Sequence, residues 1–140
     1  MCWLAEACQH NLNYWRGGNY LALGPAGASH IGGWRWRNRP HLGEWETAID
    51  RGDLPICDAE HLSPEARASE AIMLMLRLKH GVESGLIQKL TNRNILQKFA
   101  KRIDELCSLG MIERTQDGFA LLDKGIAVAD AIAGEFITGH

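Results

Sequence analysis

The chain has 140 residues, 46% of them apolar and 23% charged, with 15 Lys and Arg against 17 Asp and Glu. Those proportions exclude a disordered chain, and a net charge of −2 spread over both halves leaves no surplus of cations for a sequence-independent grip on nucleic acid. With no run of about 18 apolar residues and no signal-peptide pattern in Met1-Cys2-Trp3-Leu4-Ala5-Glu6, the expectation is a cytoplasmic chain without a transmembrane segment, with peripheral membrane contact left open.

Residues 1–9 show no period, and Met1 reads as an internal start or a fragment end. His10-Asn11-Leu12-Asn13-Tyr14-Trp15 gathers imidazole, amide, phenol and indole groups. The spacing predicts a single helical turn over 11–16 capped by Asn11 and ended by Gly17-Gly18, with Tyr14 one turn beyond His10. Tyr20 to Leu23 is a short apolar run between glycines, read as a core strand of a parallel sheet. The loop Gly24-Pro25-Ala26-Gly27-Ala28-Ser29 is built of residues that let a backbone approach a ligand closely. Trp34-Arg35-Trp36-Arg37 alternates with period two, as a short strand or edge with both indoles on one face. A helix is expected from about His41 to Arg51 with Leu42, Trp45 and Ile49 on one side, and residues 52–62 read as a linker.

The second half has clearer punctuation. Ser63-Pro64-Glu65 supplies an N-cap, a first-turn proline and an acid at the positive helix end, so a helix should run to about Lys79 with Ala68, Ala71, Ile72 and Met75 inside. A shorter helix at 83–90 and a third at 94–109 follow. Gly110 suits a left-handed cap, and Asp117-Gly118 marks a hairpin between 111–114 and 119–122. A last helix should run from Asp123 to Phe136. Three helices, a hairpin and a helix make a winged-helix-like order.

The four cysteines, Cys2, Cys8, Cys57 and Cys107, have no CxxC or CxxxCxxC spacing, which argues against a zinc or iron–sulfur site in this chain and for reduced thiols packed as small apolar groups.

HNLNYW, followed by Tyr20-Leu21-Ala22-Leu23-Gly24-Pro25, Gly32-Gly33 and Arg35-Trp36-Arg37-Asn38, resembles the haem chaperone HemW family, radical-SAM relatives of oxygen-independent coproporphyrinogen III oxidase. The resemblance covers the family's C-terminal part. It implies a fold of α/β plus α type: the tail of a radical-SAM-type α/β barrel at residues 1–57, then a helical winged-helix-like domain at 58–140. It further implies haem as cargo and acceptor proteins as partners. The full-length family protein would also carry a 4Fe-4S cluster and S-adenosylmethionine, whose cluster ligands are absent here; this chain is therefore expected to be inactive by itself.

By the same resemblance His10 is the haem ligand, and hence the metal contact, with Asn11, Tyr14 and Trp15 around the macrocycle. Spacing by itself favours a histidine that hydrogen-bonds a loop, with aromatics in the core; the family match reverses that order. Gly24, Pro25, Ala26 and Gly27 would line the S-adenosylmethionine side. The family commonly has Gly-Pro-Gly-Ala-His-Ser there, whereas this chain places histidine at His30, and a tight turn packed with small residues explains the loop equally well. Arg16, Arg35, Arg37 and Arg39 are of the right type for porphyrin propionates, although arginines that are solvated or paired with nearby acids such as Glu44 and Glu46 are the preferred reading. If the ligand is not His10, His30 and His41 are next. Alternative functions are a winged-helix DNA-binding or protein-docking module, or part of a true oxygen-independent oxidase. Asp104 and Glu105 on the third helix weigh against DNA, so no nucleic-acid partner is expected.

Overall fold

The computed structural model describes residues 9–137, which fall into two compact units: 9–17 together with 64–137, and 18–63. Helices mix with two small antiparallel sheets. The expectations for Cys2 and Cys8 lie outside the described residues. The units are divided differently from the expected 1–57 and 58–140, because the HNLNYW helix is grouped with the second half of the chain.

In that larger unit, α1 (Gln9–Trp15) is followed, after residues 18–63, by α3 (Pro64–Met75), β4 (Val82–Glu83), α4 (Ser84–Thr91), a 3-10 turn (Ile95–Phe99), α5 (Ala100–Ser108), β5 (Ile112–Arg114), β6 (Gly118–Leu121), α6 (Asp123–Ile126) and α7 (Ala129–Gly134). Proline opens α3 as expected, and Ala68, Ala71, Ile72 and Met75 are buried. The sheet runs β4-β6-β5, with Val82 facing Phe119 and Ile112 facing Leu121. Across the core Phe136 stacks on Phe119 at 5.3 Å and meets Phe99 edge-on at 5.2 Å.

Two expected helices are broken. Residues 95–99 tighten into a 3-10 turn, which brings the adjacent Ile95 and Leu96 both inside. The final helix divides at Ala127-Val128, leaving Ile126 61% exposed, while Ile132, Ala133 and Phe136 are buried.

Gly81 has φ +69, and a Cβ there would run into the backbone of Phe119 and Ala120. Gly81→Ala must therefore strain its own backbone and displace β6. We expect a loss of about 2 kcal/mol in urea unfolding. A loss below about 0.5 kcal/mol, the range of a neutral surface change, would contradict the close packing.

Glu65 carries a pH dependence. A backbone N–H at the helix start, and then Arg93 and Lys98, hold its carboxyl below the usual range against the opposing effect of burial. Arg93 donates to it at 2.8 Å. Because the folded value is depressed, this contribution is full above the unfolded carboxylate pKa of about 4.3 and is lost as pH falls through the folded value. In Glu65→Gln that part of the acid limb should disappear from a stability–pH profile; an unchanged limb would contradict the assignment.

The smaller unit contains β1 (Ala28–Ile31), β2 (Trp34–Asn38), α2 (Leu42–Asp50) and β3 (Ile56–His61), with sheet order β1-β2-β3 and antiparallel pairing throughout. The expected parallel strand at Tyr20–Leu23 is not formed. Tyr20 makes one antiparallel bridge to His30, while Leu21 and Leu23 are 64% and 90% exposed. Left-handed backbone at Gly24 and Ala26 turns the chain back so that Tyr20 meets His30, and Gly32-Gly33, both at positive φ, make the turn that pairs β1 with β2. The expected linker also contains a strand: β3 pairs with β2 across a register shift between Arg35 and Arg37, near which Asp58 adopts φ +52. That bulge disturbs the simple alternation expected for 34–37. The face proposed for α2 is mostly outside, with Leu42 and Ile49 exposed and Trp45 half-buried.

Candidate functional site

The helix at the HNLNYW motif is longer than the expected single turn. It spans Gln9–Trp15, so Asn11 lies inside it and is not its cap. His10 and Asn11 are exposed, Tyr14 is 42% exposed and Trp15 is half-buried. A spacing of four residues puts His10 and Tyr14 on one face and Asn11 and Trp15 on the next. The Tyr14 and Trp15 rings meet edge-to-face at 5.5 Å.

Helix α1 packs against α3. Gly17, with φ +67, ends the motif where a Cβ would stand 3.3 Å from Leu90 Cδ1 and 3.6 Å from the Ala71 Cβ. Arg16 reaches Glu83 at 3.4 Å. On the other side of the motif, the Arg77 guanidinium stands 5.8 Å from the centre of the Trp15 ring, within cation–π range. Arg77 also pairs loosely with Asp130, at 3.9 Å.

The loop at Gly24, Pro25, Ala26 and Gly27 belongs to the other unit, so the two groups of expected site residues are not in one compact body. Its turn is held internally. Ala26 N–H donates to the Arg39 carbonyl, Asn38 N–H donates to the Gly27 carbonyl, and the buried Asn38 amide donates to the Gly24 carbonyl at 2.9 Å. A Cβ on Gly27 would meet Ala22 at 2.8 Å, so small residues here serve packing within the turn.

The arginines on the sheet are engaged with acids: Arg35 with Glu60, Arg37 with Asp58 at 2.9 Å and Arg39 with Glu44 at 3.7 Å. The hydrogen bond and charge of Asp58 raise the Arg37 pKa further. His30 is buried, its Nδ1 3.4 Å from the Gly18 carbonyl and its Nε2 without a hydrogen-bond partner; His41 is exposed at the start of α2. Of the three histidines considered as ligands, His10 and His41 are accessible to a planar macrocycle and His30 is not.

Among the described residues no group of three His, Cys, Asp or Glu is placed to hold a metal, and Cys57 and Cys107 lie in different units. The described residues therefore do not supply the thiolates of an iron–sulfur cluster.

Residues 62–128 match the family described as HemN C-terminal domain. The chain is 28% identical to the Heme chaperone HemW of Mycobacterium tuberculosis (strain ATCC 25618 / H37Rv), over 89% of this chain and 30% of that protein. It is 23% identical to the Heme chaperone HemW of Lactococcus lactis subsp. lactis (strain IL1403), over 92% of this chain and 34% of that one. The resemblance drawn from HNLNYW is thus borne out, and the chain spans about a third of the length of these curated relatives. In fold it is similar to coproporphyrinogen III oxidase (HemN) from Escherichia coli, described as a radical SAM enzyme, with a TM-score of 0.63 at 18% identity over 86% of this chain and 29% of that one.

Proposed function

We propose that this chain is the haem-contacting C-terminal portion of a HemW-like protein, with haem as cargo for transfer to acceptor proteins in the cytoplasm. The observation that carries the reading is the exposed His10 imidazole, one helical turn from Tyr14, on a helix that packs against α3 of the HemN-type unit. A neutral imidazole supplies an axial ligand to iron. Tyr14 and Trp15 cover the macrocycle by stacking, and Asn11 borders it with a polar side chain. Haemin titration followed at the Soret band, wild type against His10→Ala, is the experiment that tests this.

Residues 1–57 would form the closing part of the family's barrel, with the loop at 24–27 on its S-adenosylmethionine side. In a full-length relative, the cluster and S-adenosylmethionine would supply radical chemistry.

The helix, strand, helix, helix and hairpin order of residues 64–121 supports a winged-helix-like reading of the larger unit. Several of its cations are engaged by acids, which favours protein docking over DNA: Arg93 and Lys98 with Glu65, Arg102 with Glu105 and Glu135, and Arg114 with Asp104. Such a module would reach an acceptor protein while α1 holds the cargo. No helix among the described residues is long and apolar enough to cross a membrane.

A further inference from the structure

We infer that Arg77 is the anion-binding residue of the HNLNYW surface, accepting a carboxylate of the ligand beside Trp15. The inference rests on the proposed haem reading and adds to it the recognition of the porphyrin's peripheral acids.

The sequence offers several arginines for this task, but Arg35, Arg37 and Arg39 lie in the other compact unit and are paired with Glu60, Asp58 and Glu44, while Arg16 pairs with Glu83. Arg77 differs on three counts. It is in the same unit as α1, its guanidinium stands 5.8 Å from the Trp15 ring centre, and its acidic neighbour is distant and solvent-washed. The Asp130 carboxylate is 3.9 Å away and its side chain 99% exposed. An exposed pair of that length contributes little and is readily exchanged for another carboxylate. A guanidinium lying against an indole keeps its in-plane donors directed outward, and those donors match a carboxylate two by two.

Trp15 lies five residues beyond His10, about 7.5 Å along the helix axis and about 140° around it, so the Arg77 contact with a ligand's carboxylate is made beside Trp15 and is separate from ligation at His10.

The test compares haemin, which has free propionates, with haemin dimethyl ester, in which they are capped, in the same dilute detergent and with the full 140-residue chain. Arg77→Gln should weaken haemin binding by about tenfold, the worth of a charge-assisted hydrogen bond, and leave the ester's affinity and the Soret position unchanged. Arg77→Lys should recover part of the loss. Asp130→Asn, by removing the competing carboxylate, should tighten haemin and not the ester. If Arg77→Gln weakens both ligands equally, or neither, Arg77 only supports Trp15 and the inference is overturned while the haem reading stands. If His10→Ala leaves the spectrum unchanged but the ester discrimination by Arg77 persists, the ligand assignment fails and the anion site stands. A wild-type chain that binds neither compound overturns both.

Discussion

Replacing Phe136 with alanine is expected to cost the larger unit about 3–5 kcal/mol, most of the stability an ordinary domain possesses. Phe136 has no exposed surface and holds together elements distant in sequence: its ring meets Phe99 just before α5 and Phe119 of the central strand β6. Its carbonyl also accepts the Ser69 hydroxyl at 2.7 Å, which ties the chain after α7 to α3. Alanine would remove the ring from all of these contacts and leave a cavity that three separate elements cannot close together. Urea unfolding followed by far-ultraviolet dichroism checks this, with Phe136→Leu, which refills most of the volume, expected to lose less than half as much. A loss under about 1 kcal/mol for Phe136→Ala would mean that the aromatic cluster is peripheral to the fold.

The elements legible in advance were those whose signals are local. Ser63-Pro64-Glu65 announced the start of α3, Gly110 the left-handed turn after α5, and Asp117-Gly118 the hairpin, because in each case neighbouring residues meet the backbone's requirement themselves. What failed depended on partners elsewhere. Tyr20–Leu23 has the composition of a buried parallel strand, but composition carries no information about which strand is beside it, and here only Tyr20 is bridged. The strand β3 was hidden because Ile56 to His61 alternates poorly, Asp58 taking a left-handed conformation beside the bulge that lets it pair with β2. The breaks at Ala100 and Ala127 are tertiary adjustments of helices whose apolar spacing looks continuous.

The site divides in the same way. A helix over the HNLNYW motif was legible from the spacing of its residues and from Gly17, and the family resemblance gave it a meaning that spacing did not. Arg77 left no trace because it meets Trp15 from a different part of the chain, and no local pattern links an arginine after α3 to an indole on α1. The sheet arginines were rightly read as paired with acids, although the partners of Arg35 and Arg37 are the cross-strand residues Glu60 and Asp58. Grouping of α1 with residues 64–137 was equally invisible, since Gly18 to Ser63 separates them in sequence.

The central claim is that the His10 imidazole ligates haem iron, and its deletion is the second large effect expected. Tyr14 and Trp15 contribute stacking of roughly 1 kcal/mol each beyond burial, so losing either weakens binding modestly and leaves the iron's ligand in place. Losing the imidazole changes the ligand field itself. Haemin titrated into the chain by absorbance, with wild type, His10→Ala and Tyr14→Phe side by side, reads the two effects separately. The account predicts that His10→Ala shifts the Soret band and weakens binding at least tenfold, about 1.4 kcal/mol or more, while Tyr14→Phe keeps the wild-type band. An unchanged band and affinity in His10→Ala would place the ligand elsewhere, with the exposed His41 next to be replaced, and would leave HNLNYW as a helix that packs against α3.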